Sequence, residues 1–465
     1  MVNLPKKAQI IIDTLNQNGF QAYAVGGSVR DSIMEKETYG WDYTTDAVPE
    51  EILKLFPDSF YDNLFGTVCV KIYDDRDTEK KDVIDIYEIT TFRSEKGYTD
   101  RRHPDTIVWG KNLEEDLSRR DFTINAIAWD GKELFDPYEG KKDIENKIIR
   151  AVGIAEDRFS EDALRMMRAI RIASQLGFTI EEHTFAAIQK KAPLIHEISK
   201  ERVHDELLKI LASDFASDGI LILKNTGLLR EIIPELDVAF DVDQKSPKRH
   251  HMYDVGVHSV MALKYCPSKD PIVRFATLLH DVGKPKTVAK TDEGVITFYN
   301  HEVMGAGIAK QIVERLKFSK KDAGRIITLI RWHQFSVDER QTDSAIRRII
   351  RRVGKENLQD MLALRIGDRL GGGAQETSWR LELFKKRLDE VQQQPFSVQD
   401  LKVNGHDVME IFGCKPGKII GTTLDAVFKD VEEGVLLNDR DQQLNKLKEL
   451  RLSQETLETE KPKGV

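Results

Sequence analysis

Residues 25–47, VGGSVRDSIMEKETYGWDYTTDA, determine what the first domain of this chain can be. The pattern predicts a strand end, a Gly-Gly turn, a short helix and a second strand. Gly26 and Gly27 have no Cβ atom, so backbone N–H groups there can approach a phosphate closely. Arg30 can form a bidentate contact with phosphate oxygens, and Asp42 carries a carboxylate on the second strand. Together these residues indicate metal-assisted transfer onto or from a nucleotide, although each alone also fits an ordinary turn or a solvated acid.

The same stretch resembles the polymerase β-like nucleotidyltransferase head, and most closely the bacterial tRNA nucleotidyltransferase and poly(A) polymerase family. The family pattern is GG-x-V-R-D, then D-x-D on a strand, then T-T-x-A. Residues 26–31 keep the turn, but Gly40 stands where the family has its first acid, and Asp42 is the second acid. We expect residues 40 and 42 to share one face of a strand, where two acids would bind two Mg²⁺ ions.

Gly40 therefore predicts a weakened metal site in the head. Loss of one of two metal-bridging carboxylates is expected to cost on the order of three decades in rate. Asp46 lies past the strand and is not expected to replace the missing ligand. Three interpretations stay open. The chain is a weakened enzyme in which water replaces the ligand, a variant from which the acid was removed, or a protein with an inactive head that still binds tRNA.

The composition is that of a helix-rich globular protein. The 465 residues are enough for about three domains, and 32% of them are charged. The net charge of −8 argues against a uniformly basic surface for nucleic acid but leaves room for a local basic groove. The 3 cysteines are far apart, and no signal-peptide pattern or long apolar run is present. We expect a cytoplasmic protein without a membrane segment.

Two further stretches extend the resemblance through the head. Residues 88–93, EITTFR, match the family's E-x-T-T-F-R, and residues 113–129, LEEDLSRRDFTINAIAW, match D-L-x-R-R-D-F-T-x-N-A. The resemblance implies that Glu88 is a third metal-binding carboxylate and that Arg120, with Arg119 before it, holds the triphosphate. The residues implied to brace this site by hydrogen bonds are Asp121 and Asn125.

Residues 159–177, FSEDALRMMRAIRIASQLG, predict one helix capped by Ser160 and ended by Gly177. Asp162 and Arg165 are three residues apart and hence neighbours, and an exposed ion pair there would contribute roughly a few tenths of a kcal/mol. The resemblance implies a larger role, because the family's E-D-x-x-R helix reads the base with one carboxylate and one guanidinium. Cytosine and adenine both present an exocyclic amine beside a ring acceptor, whereas uracil and guanine do not. The arginines implied to support nucleotide binding are Arg168 and Arg171.

Two other segments have supporting roles in the resemblance. Residues 199–211, SKERVHDELLKIL, match a later family helix, in which Arg202 and Glu206 are expected to hold the template helix in place. Residues 93–104 are charged and without hydrophobic period, and predict a solvated loop. The loop has the full length of the family's nucleotide-switching loop, which argues against an enzyme that adds only CC.

A second set of metal-ligand residue types lies further along the chain. Six of the 11 histidines fall between residues 250 and 333, and His280-Asp281 ends an apolar stretch. A single buried histidine is an ordinary core residue, but adjacent His and Asp at a helix end can build a metal cage for phosphohydrolysis with histidines of other helices. The spacing resembles the HD phosphohydrolase domain, which implies a divalent metal of unreadable identity. The implied ligands are His258, His280, Asp281 and Asp368, with His301 and His333 as auxiliary candidates; the other histidines of the set are His250 and His251.

The predicted fold class is α+β, with a small polymerase β-like nucleotidyltransferase head followed by an all-helical body that contains an HD domain. Residues 404–421, NGHDVMEIFGCKPGKIIG, resemble the N-G-x-D and P-G-x-x-I-G segment where the family holds tRNA. The predicted ranges are 1–150 for the head, 151–240 for a helical nucleotide-template and RNA-binding region, 241–370 for the HD domain, 371–452 for a helical tRNA-binding tail and 453–465 for a disordered end.

The resemblance covers nearly the whole chain and implies a tRNA nucleotidyltransferase that adds CCA, or its terminal A, from CTP and ATP with Mg²⁺. In this assignment Asp42 and Glu88 are catalytic, and Gly27, Arg30 and Arg120 hold the triphosphate. The alternatives are a poly(A) polymerase, a metal phosphohydrolase with an inactive tRNA-binding head, and a tRNA-binding protein without activity. Arrest of addition after three nucleotides would exclude the first. Phosphate release that needs Asp281 but not Asp42 would support the second. The oligomeric state stays open.

Overall fold

The structure is a computed structural model that describes residues 2, 4–38, 40–61, 66–73, 82–96, 106–110, 112–244, 253–334, 343–373, 379–392, 398–433 and 435–459. Much of the expected loop at 93–104 lies outside these residues, as do His250 and His251. Every statement below about helices, strands and contacts refers to the described part of the chain.

The head combines short strands with short helices. The strands are β1 (Ala22–Val25), β2 (Asp42–Thr45), β3 (Ser59–Tyr61), β4 (Thr67–Tyr73), β5 (Val83–Thr91), β6 (Arg93–Lys96), β7 (Thr106–Trp109), β8 (Ala128–Trp129), β9 (Leu134–Phe135) and β10 (Ile148–Ile149). The helices are α1 (Lys6–Gln17), α2 (Gly27–Ile33), α3 (Pro49–Leu55), α4 (Leu113–Ser118) and α5 (Gly140–Glu145).

Seven of these strands form one sheet in the order β3-β4-β5-β2-β1-β8-β9. Strands β2 and β5 run parallel, whereas the other neighbouring pairs of this sheet run antiparallel. Strands β6 and β7 form a separate antiparallel pair, so the loop prediction was wrong for residues 93–96. The parallel pair is important for function because it places residues of two distant segments side by side.

Local sequence explains the helices that cover the sheet. In α1, Ile11, Ile12 and Leu15 recur at helical spacing and are buried, so the helix presents one apolar stripe to the sheet. Tyr43 of β2 reaches the same layer, where its hydroxyl donates to the carbonyl of Ala8 at 2.9 Å. These contacts fix β2 against α1 and thereby fix the position of Asp42.

Gly40 does not lie on a strand. Strand β2 begins at Asp42, and Gly40 occupies an exposed bend before it with a φ of 65°. Its N–H donates to Asp85 Oδ2 at 3.2 Å. The expectation that residues 40 and 42 share one strand face was therefore wrong, because the left-handed backbone at Gly40 turns the chain before pairing starts.

The body is helical apart from small strands. Its helices are α6 (Ala155–Glu161), α7 (Leu164–Leu176), α8 (Glu182–Lys191), α9 (Lys200–Ala212), α10 (Ala216–Asn225), α11 (Leu228–Ile232), α12 (Pro234–Asp237), α13 (Val255–Tyr265), α14 (Pro271–Leu279), α15 (Lys284–Thr287), α16 (His301–Arg315), α17 (Lys320–Trp332), α18 (Asp343–Val353), α19 (Leu358–Gly371) and α20 (Trp379–Gln392). Its strands are β11 (Thr179–Ile180), which pairs with β10 of the head, and the hairpin of β12 (Ala289–Lys290) and β13 (Ile296–Thr297). Short 3₁₀ turns occupy Thr123–Asn125, Ala192–Glu197, Val238–Asp241, Lys355–Asn357 and Val398–Asp400.

The stretch 159–177 is two helices instead of one. Helix α6 ends at Glu161, Asp162 has extended backbone angles, and α7 starts at Leu164. Ser160 is not the cap, because its hydroxyl donates to the carbonyl of Glu156 within α6. Gly177 ends α7 in the left-handed conformation, as the sequence predicts. The break at Asp162 changes the geometry of the predicted template.

The packing separates the tail from the rest. One continuous apolar core runs through head and body as far as Val391, and it includes the side chains of α20. A second core joins the remaining helices and begins at residue 398, so the packing divides the chain after α20 and not after residue 370. The tail helices are α21 (Gly405–Phe412), α22 (Lys418–Glu432) and α23 (Arg440–Thr459).

The end of the chain corrects another expectation. Helix α23 continues to Thr459, so the prediction of a disordered segment was wrong for residues 453–459, and residues 460–465 lie outside the described part. Among the described residues, no helix combines the length and the apolar character needed to cross a membrane.

Candidate active site and metal centre

The carboxylates of Asp42 and Glu88 lie on neighbouring parallel strands. In the register of β2 and β5, Asp42 stands opposite Glu88. Burial and the negative charge of Glu88 raise the pKa of Asp42 to about 6, although Arg120 and Arg168 act in the opposite direction. A divalent cation between these residues would relieve that repulsion, and carboxylate oxygens are the ligands that Mg²⁺ prefers. The residues present therefore fit a magnesium site.

The Gly-Gly turn makes room for two functional side chains. Gly26 has a φ of 79°, and a Cβ atom there would lie 3.3 Å from Asp42 Oδ2 and 3.4 Å from Arg120 Nη1. A Cβ atom on Gly27 would lie 3.4 Å from Arg30 Nη2. The sequence singled out Gly27 as a phosphate contact. The structure shows that Gly26 is the more constrained position, since both its backbone angle and its neighbours require glycine.

A chain of hydrogen bonds joins the head to α7. Arg30 Nη1 donates to Asn125 Oδ1 at 2.8 Å, and Asn125 Nδ2 donates to Asp121 Oδ1 at 3.2 Å. Arg168 of α7 then donates through Nε to Asp121 Oδ2 at 2.8 Å. Asp121 and Asn125 therefore brace the site, and Arg168 is held by Asp121. Arg30 is also paired with Asp31, and its contact with triphosphate stays a prediction.

Asp121→Asn is expected to lower the free energy of unfolding at neutral pH by about 2–3 kcal/mol. Burial alone would raise the pKa of Asp121, but Arg168 overcomes this and lowers it to about 2. The stabilisation is thus present above the unfolded-state pKa of about 4 and is lost as the pH falls towards 2. Urea unfolding at pH 7 and at pH 3 measures it, with Asp13→Asn on the exposed face of α1 as control. Equal stability of Asp121→Asn and the parent chain at pH 7 would contradict the argument.

Arg120 has an unused donor beside the carboxylate pair. Its Nη2 lies 3.3 Å from Asp116 Oδ2, and Arg119 Nη2 lies 2.6 Å from the other oxygen of that buried acid. The Nε atom of Arg120 is buried and has no hydrogen-bond partner. A buried donor without a partner is costly. The side chain of Arg120 is 19% exposed, so its guanidinium can still contact a triphosphate oxygen. Asp116 holds Arg119 and Arg120 in place, a role that the sequence motif alone did not indicate.

Asp162 and Arg165 do not pair with each other. Asp162 accepts hydrogen bonds from the Leu164 N–H and from Arg202 Nη2, both at 2.9 Å. Arg165 lies 2.6 Å from Glu161 Oε2 and donates to the carbonyl of Arg119 at 3.1 Å. The expected helical ion pair was therefore wrong, because the chain breaks between α6 and α7. Both side chains still lie at the start of α7, and their role in reading a base stays a prediction.

Helix α9 holds the template region as expected. On α9, Arg202 pairs with Asp162, and Glu206 pairs with Arg171 Nη1 at 3.1 Å. The Nε atom of Arg171 and the Oε2 atom of Glu206 are buried without hydrogen-bond partners. Arg171 is therefore positioned by Glu206.

The second cluster lies in the body, where five helices meet. His258 belongs to α13, His280 and Asp281 follow α14, and Asp368 belongs to α19. His258 Nε2 lies 3.2 Å from Asp368 Oδ1, and His280 Nε2 lies 3.2 Å from Asp281 Oδ2. The structure thus brings the four predicted ligands together. The remaining two histidines of the cluster are His301, the first residue of α16, and His333, which follows α17.

The cluster is strongly charged and opens into a cavity. Burial alone would lower the pKa of His280, but Asp281 and Asp368 raise it to about 10. Burial, together with His280, lowers the pKa of His333 to about 3. Lys284, which the sequence did not single out, lies 2.6 Å from Asp281 Oδ2. The cavity of about 500 Å³ beside the cluster is lined by residues that include Lys284, Tyr299 and Glu302.

The donor set of this cluster suits a transition metal. Four imidazoles and two carboxylates face one another, and imidazole nitrogen binds zinc, copper, iron or nickel better than it binds magnesium. The residues therefore fit a divalent metal, and the donor types argue against a second magnesium site.

The sheet head, its carboxylate pair and the surrounding arginines define a nucleotidyltransferase. Three family profiles match in succession: the Poly A polymerase head domain at residues 22–150, the probable RNA and SrmB-binding site of polymerase A at 177–240, and tRNA nucleotidyltransferase domain 2 at 295–447. The CCA-adding enzyme of Ligilactobacillus salivarius is 32% identical over 461 residues, which are 96% of this chain and 98% of that protein. This chain belongs to the family of CCA-adding enzymes.

Two other relatives agree with this assignment. The CCA-adding enzyme of Geobacillus kaustophilus is 44% identical over 220 residues, which are 47% of this chain and 52% of that protein. The crystal structure of the Bacillus stearothermophilus CCA-adding enzyme in complex with CTP superposes with a TM-score of 0.69 at 28% identity. That superposition covers 97% of this chain and 98% of the other, so the likeness includes head, body and tail.

Proposed function

We propose that this chain adds CCA, or its terminal A, to the 3′ end of tRNA in the bacterial cytoplasm, using CTP and ATP. The observation that carries the proposal is the pairing of Asp42 with Glu88 beside the Gly26 turn and the unpartnered Nε of Arg120. This arrangement joins a metal-binding carboxylate pair to a phosphate-binding arginine. The relatives named CCA-adding enzyme supply the substrate class.

In the proposed reaction the tRNA 3′-hydroxyl attacks the α-phosphate of the nucleotide and pyrophosphate leaves. Mg²⁺ held by Asp42 and Glu88 would supply charge stabilisation for the phosphoryl group. Arg120 donates to triphosphate oxygens, while Arg30, braced by Asn125, and the backbone at Gly27 hold the same group. These contacts hold the α-phosphate in position for in-line attack.

Base selection falls to the start of α7 in this proposal. Asp162 would accept a proton of the exocyclic amine and Arg165 would donate to the ring acceptor beside it. Both side chains are engaged elsewhere in the structure, so a base must replace the contacts to Arg202 and Glu161. Both contacts that the base replaces are charge-assisted hydrogen bonds. An incorrect base that bonds to only one of the two side chains leaves the other without a partner and is therefore disfavoured.

Arg165→Ala is expected to reduce selection of CTP and ATP over UTP and GTP by about 10- to 100-fold, the value of one bidentate base contact. Single-nucleotide addition with each triphosphate measures the ratio of rate constants. The control is Arg230→Ala, which removes an exposed arginine of α11 that pairs with Asp237 and should leave the ratio unchanged. Unchanged selectivity in Arg165→Ala would exclude Arg165 as a base-reading residue.

The direct test of the proposal is addition to tRNA that lacks its CCA end. With CTP, ATP and Mg²⁺, the product should grow by three nucleotides and stop. A product that continues to lengthen with ATP alone would identify a poly(A) polymerase, which is the alternative of the same class. Binding of tRNA without any addition would point to a binding protein.

A second candidate function is metal-dependent phosphohydrolysis by the helical body, supported by the cluster around Asp281. The substrates to test are tRNA ends with a 2′-phosphate or a cyclic phosphate. Asp281→Ala should abolish phosphate release and leave CTP addition intact, whereas Asp42→Ala should have the opposite effect. Phosphate release that survives Asp281→Ala would place the activity elsewhere.

A further inference from the structure

A cavity in the head takes no part in the proposed reaction. It measures about 780 Å³ and is lined by residues of β1, β9 and α4 and of the turn that follows β9. Cavities of this size hold small ligands in many proteins. Tyr23 lines it and lies on the same sheet face as Val25, whose strand partner is Asp42. The cavity therefore opens on the face that carries the predicted metal site, although none of the described lining residues belongs to that site.

Aromatic and aliphatic side chains form an apolar wall of this cavity. The rings of Tyr23 and Phe135 lie edge to face, with centroids 5.3 Å apart. Leu113 and Leu134 line the same space, and Phe135 is 37% exposed. Aromatic rings attract a cation through their faces, and apolar side chains pack against the methylene stem of an organic amine. The apolar wall thus suits an organic cation with an aliphatic chain.

The charges of the cavity are all negative. Among the described lining residues, Glu114 and Asp136 carry carboxylates, and no lysine, arginine or histidine is present. Asp136 accepts hydrogen bonds from N–H groups at the start of α5, whereas Glu114 has no ion-pair partner within the described part of the chain. Asp46 adds a further carboxylate, since it accepts the N–H of the lining residue Gln21 at 2.7 Å. The charge of the cavity therefore complements a cation and repels a nucleotide or RNA.

The carboxylates act at two separate positions. Burial raises the pKa of Tyr23, and Asp130 and Asp46 raise it further. Burial and Glu114 raise the pKa of Tyr138, against smaller effects of the opposite sign. Because each tyrosine responds to different acids, negative charge is concentrated near both hydroxyl groups. A ligand with two ammonium groups joined by methylene groups matches this distribution.

We propose that this cavity of the head binds a linear aliphatic polyamine. Its methylene chain packs along the apolar wall, one ammonium group contacts Glu114, and another lies near Asp46 and Asp130. The association is non-covalent. The inference goes beyond the proposed function, because tRNA and nucleoside triphosphates are polyanions that the carboxylates of this cavity would repel.

A ligand in the cavity would stabilise the head. Val25 and Leu117 belong to one small buried core, which Tyr23 and Leu113 partly join. Three of these side chains also line the cavity, so a bound methylene chain extends that core. Leu117 lies three residues before Arg120, which connects the cavity to the predicted triphosphate site. Binding is therefore expected to raise the melting temperature of the protein.

Calorimetric titration of the full-length protein with spermidine, without RNA and at physiological ionic strength, tests the proposal. Spermidine should bind saturably, with one molecule per chain, and should raise the melting temperature. Butanediol, which has methylene groups but no charge, should not bind, and an equal concentration of Mg²⁺ should displace little spermidine. Absence of saturable binding would overturn the inference. Equal binding of butanediol would identify an apolar cavity only, and full displacement by Mg²⁺ would identify an acidic surface only.

Substitutions assign the binding to this cavity. Glu114→Gln and Phe135→Ala should each weaken spermidine binding about two- to fivefold, the value of one exposed ion pair or cation–π contact, and the double variant about tenfold. The matched control is Glu50→Gln, which neutralises an exposed acid in the first turn of α3 and should bind spermidine like the parent chain. Circular dichroism checks that each variant is folded. Parent-like binding by the folded double variant would place the polyamine elsewhere and overturn the proposal.

Discussion

Asp42→Asn is expected to lower the rate of CCA addition by about 10³-fold or more, because it removes a metal-binding carboxylate at the reacting phosphate. The same substitution is expected to raise the free energy of unfolding at pH 7 by about 2–3 kcal/mol. Loss of activity and gain of stability have one cause, since Asp42 is held as a charged group where the folded protein disfavours that charge.

The sign of the stability effect follows from the pKa. Burial, with help from Glu88, raises the pKa of Asp42 from 3.8 to about 6 in the folded protein. A raised carboxyl pKa means that folding is favoured while the group is protonated and loses that advantage as the pH rises through 6. The neutral amide of asparagine avoids this cost. The stability difference should therefore be present at pH 7 and disappear below about pH 4.

Two measurements test the prediction for Asp42. Addition of one nucleotide to tRNA gives the rate, and thermal unfolding at pH 7 and pH 4 gives the stability. Asp13→Asn on α1 is the control, because it also neutralises one carboxylate but lies on an exposed helix face. A variant that loses activity and is also less stable at pH 7 would show that Asp42 contributes to the fold and would contradict the account of its pKa.

Gly40→Asp restores the first acid of the D-x-D pattern, from the bend before β2, and is expected to increase the rate of addition by at least tenfold and up to about 10³-fold. A Cβ atom at residue 40 would meet no atom within 4 Å, so the side chain has space. The φ of 65° is a conformation that aspartate tolerates at a cost of about 1–2 kcal/mol. The increase in rate should therefore be accompanied by a small loss of stability.

Gly40→Asn is the matched control for this gain. Asparagine tolerates the same backbone conformation and has nearly the same size, but it has no negative charge. Only the aspartate variant should be faster, and without metal it should lose more stability than the asparagine variant, because it adds a carboxylate near Asp42 and Glu88. Equal rates for all three chains would show that this head works with Asp42 and Glu88 as its acids and that the two-acid argument does not apply here.

A chain of hydrogen bonds fixes α7 against the head. It joins Arg30, Asn125, Asp121 and Arg168. The chain of contacts runs from the phosphate-binding side of the head to the helix that is proposed to read the base. Movement of α7 relative to the sheet would have to break the ion pair of the partly exposed Arg168 with the buried Asp121. In the proposed function, this connection would hold triphosphate and base in a fixed relation and position the α-phosphate for attack.

The sequence by itself determined the chemistry that each segment can perform. The GG-x-V-R-D turn, the carboxylates at 42 and 88, the arginine motif around Arg120 and the histidines of the body were all readable as residue types at family spacing. The α+β head and helical body followed from the same pattern, because hydrophobic period, glycine turns and helix caps are local signals. The family assignment rests on these motifs, which lie in separate segments along nearly the whole chain.

Only the tertiary structure decided which groups meet. It placed Asp42 beside Glu88 through parallel pairing of two strands, a register that no local signal specifies. It paired Asp162 with Arg202 and Arg165 with Glu161, so the two residues do not pair with each other. It moved Gly40 off the strand and divided the histidine cluster into two sets around Asp281. Charged side chains can choose among many partners, and the choice depends on the packing of helices that are distant in sequence.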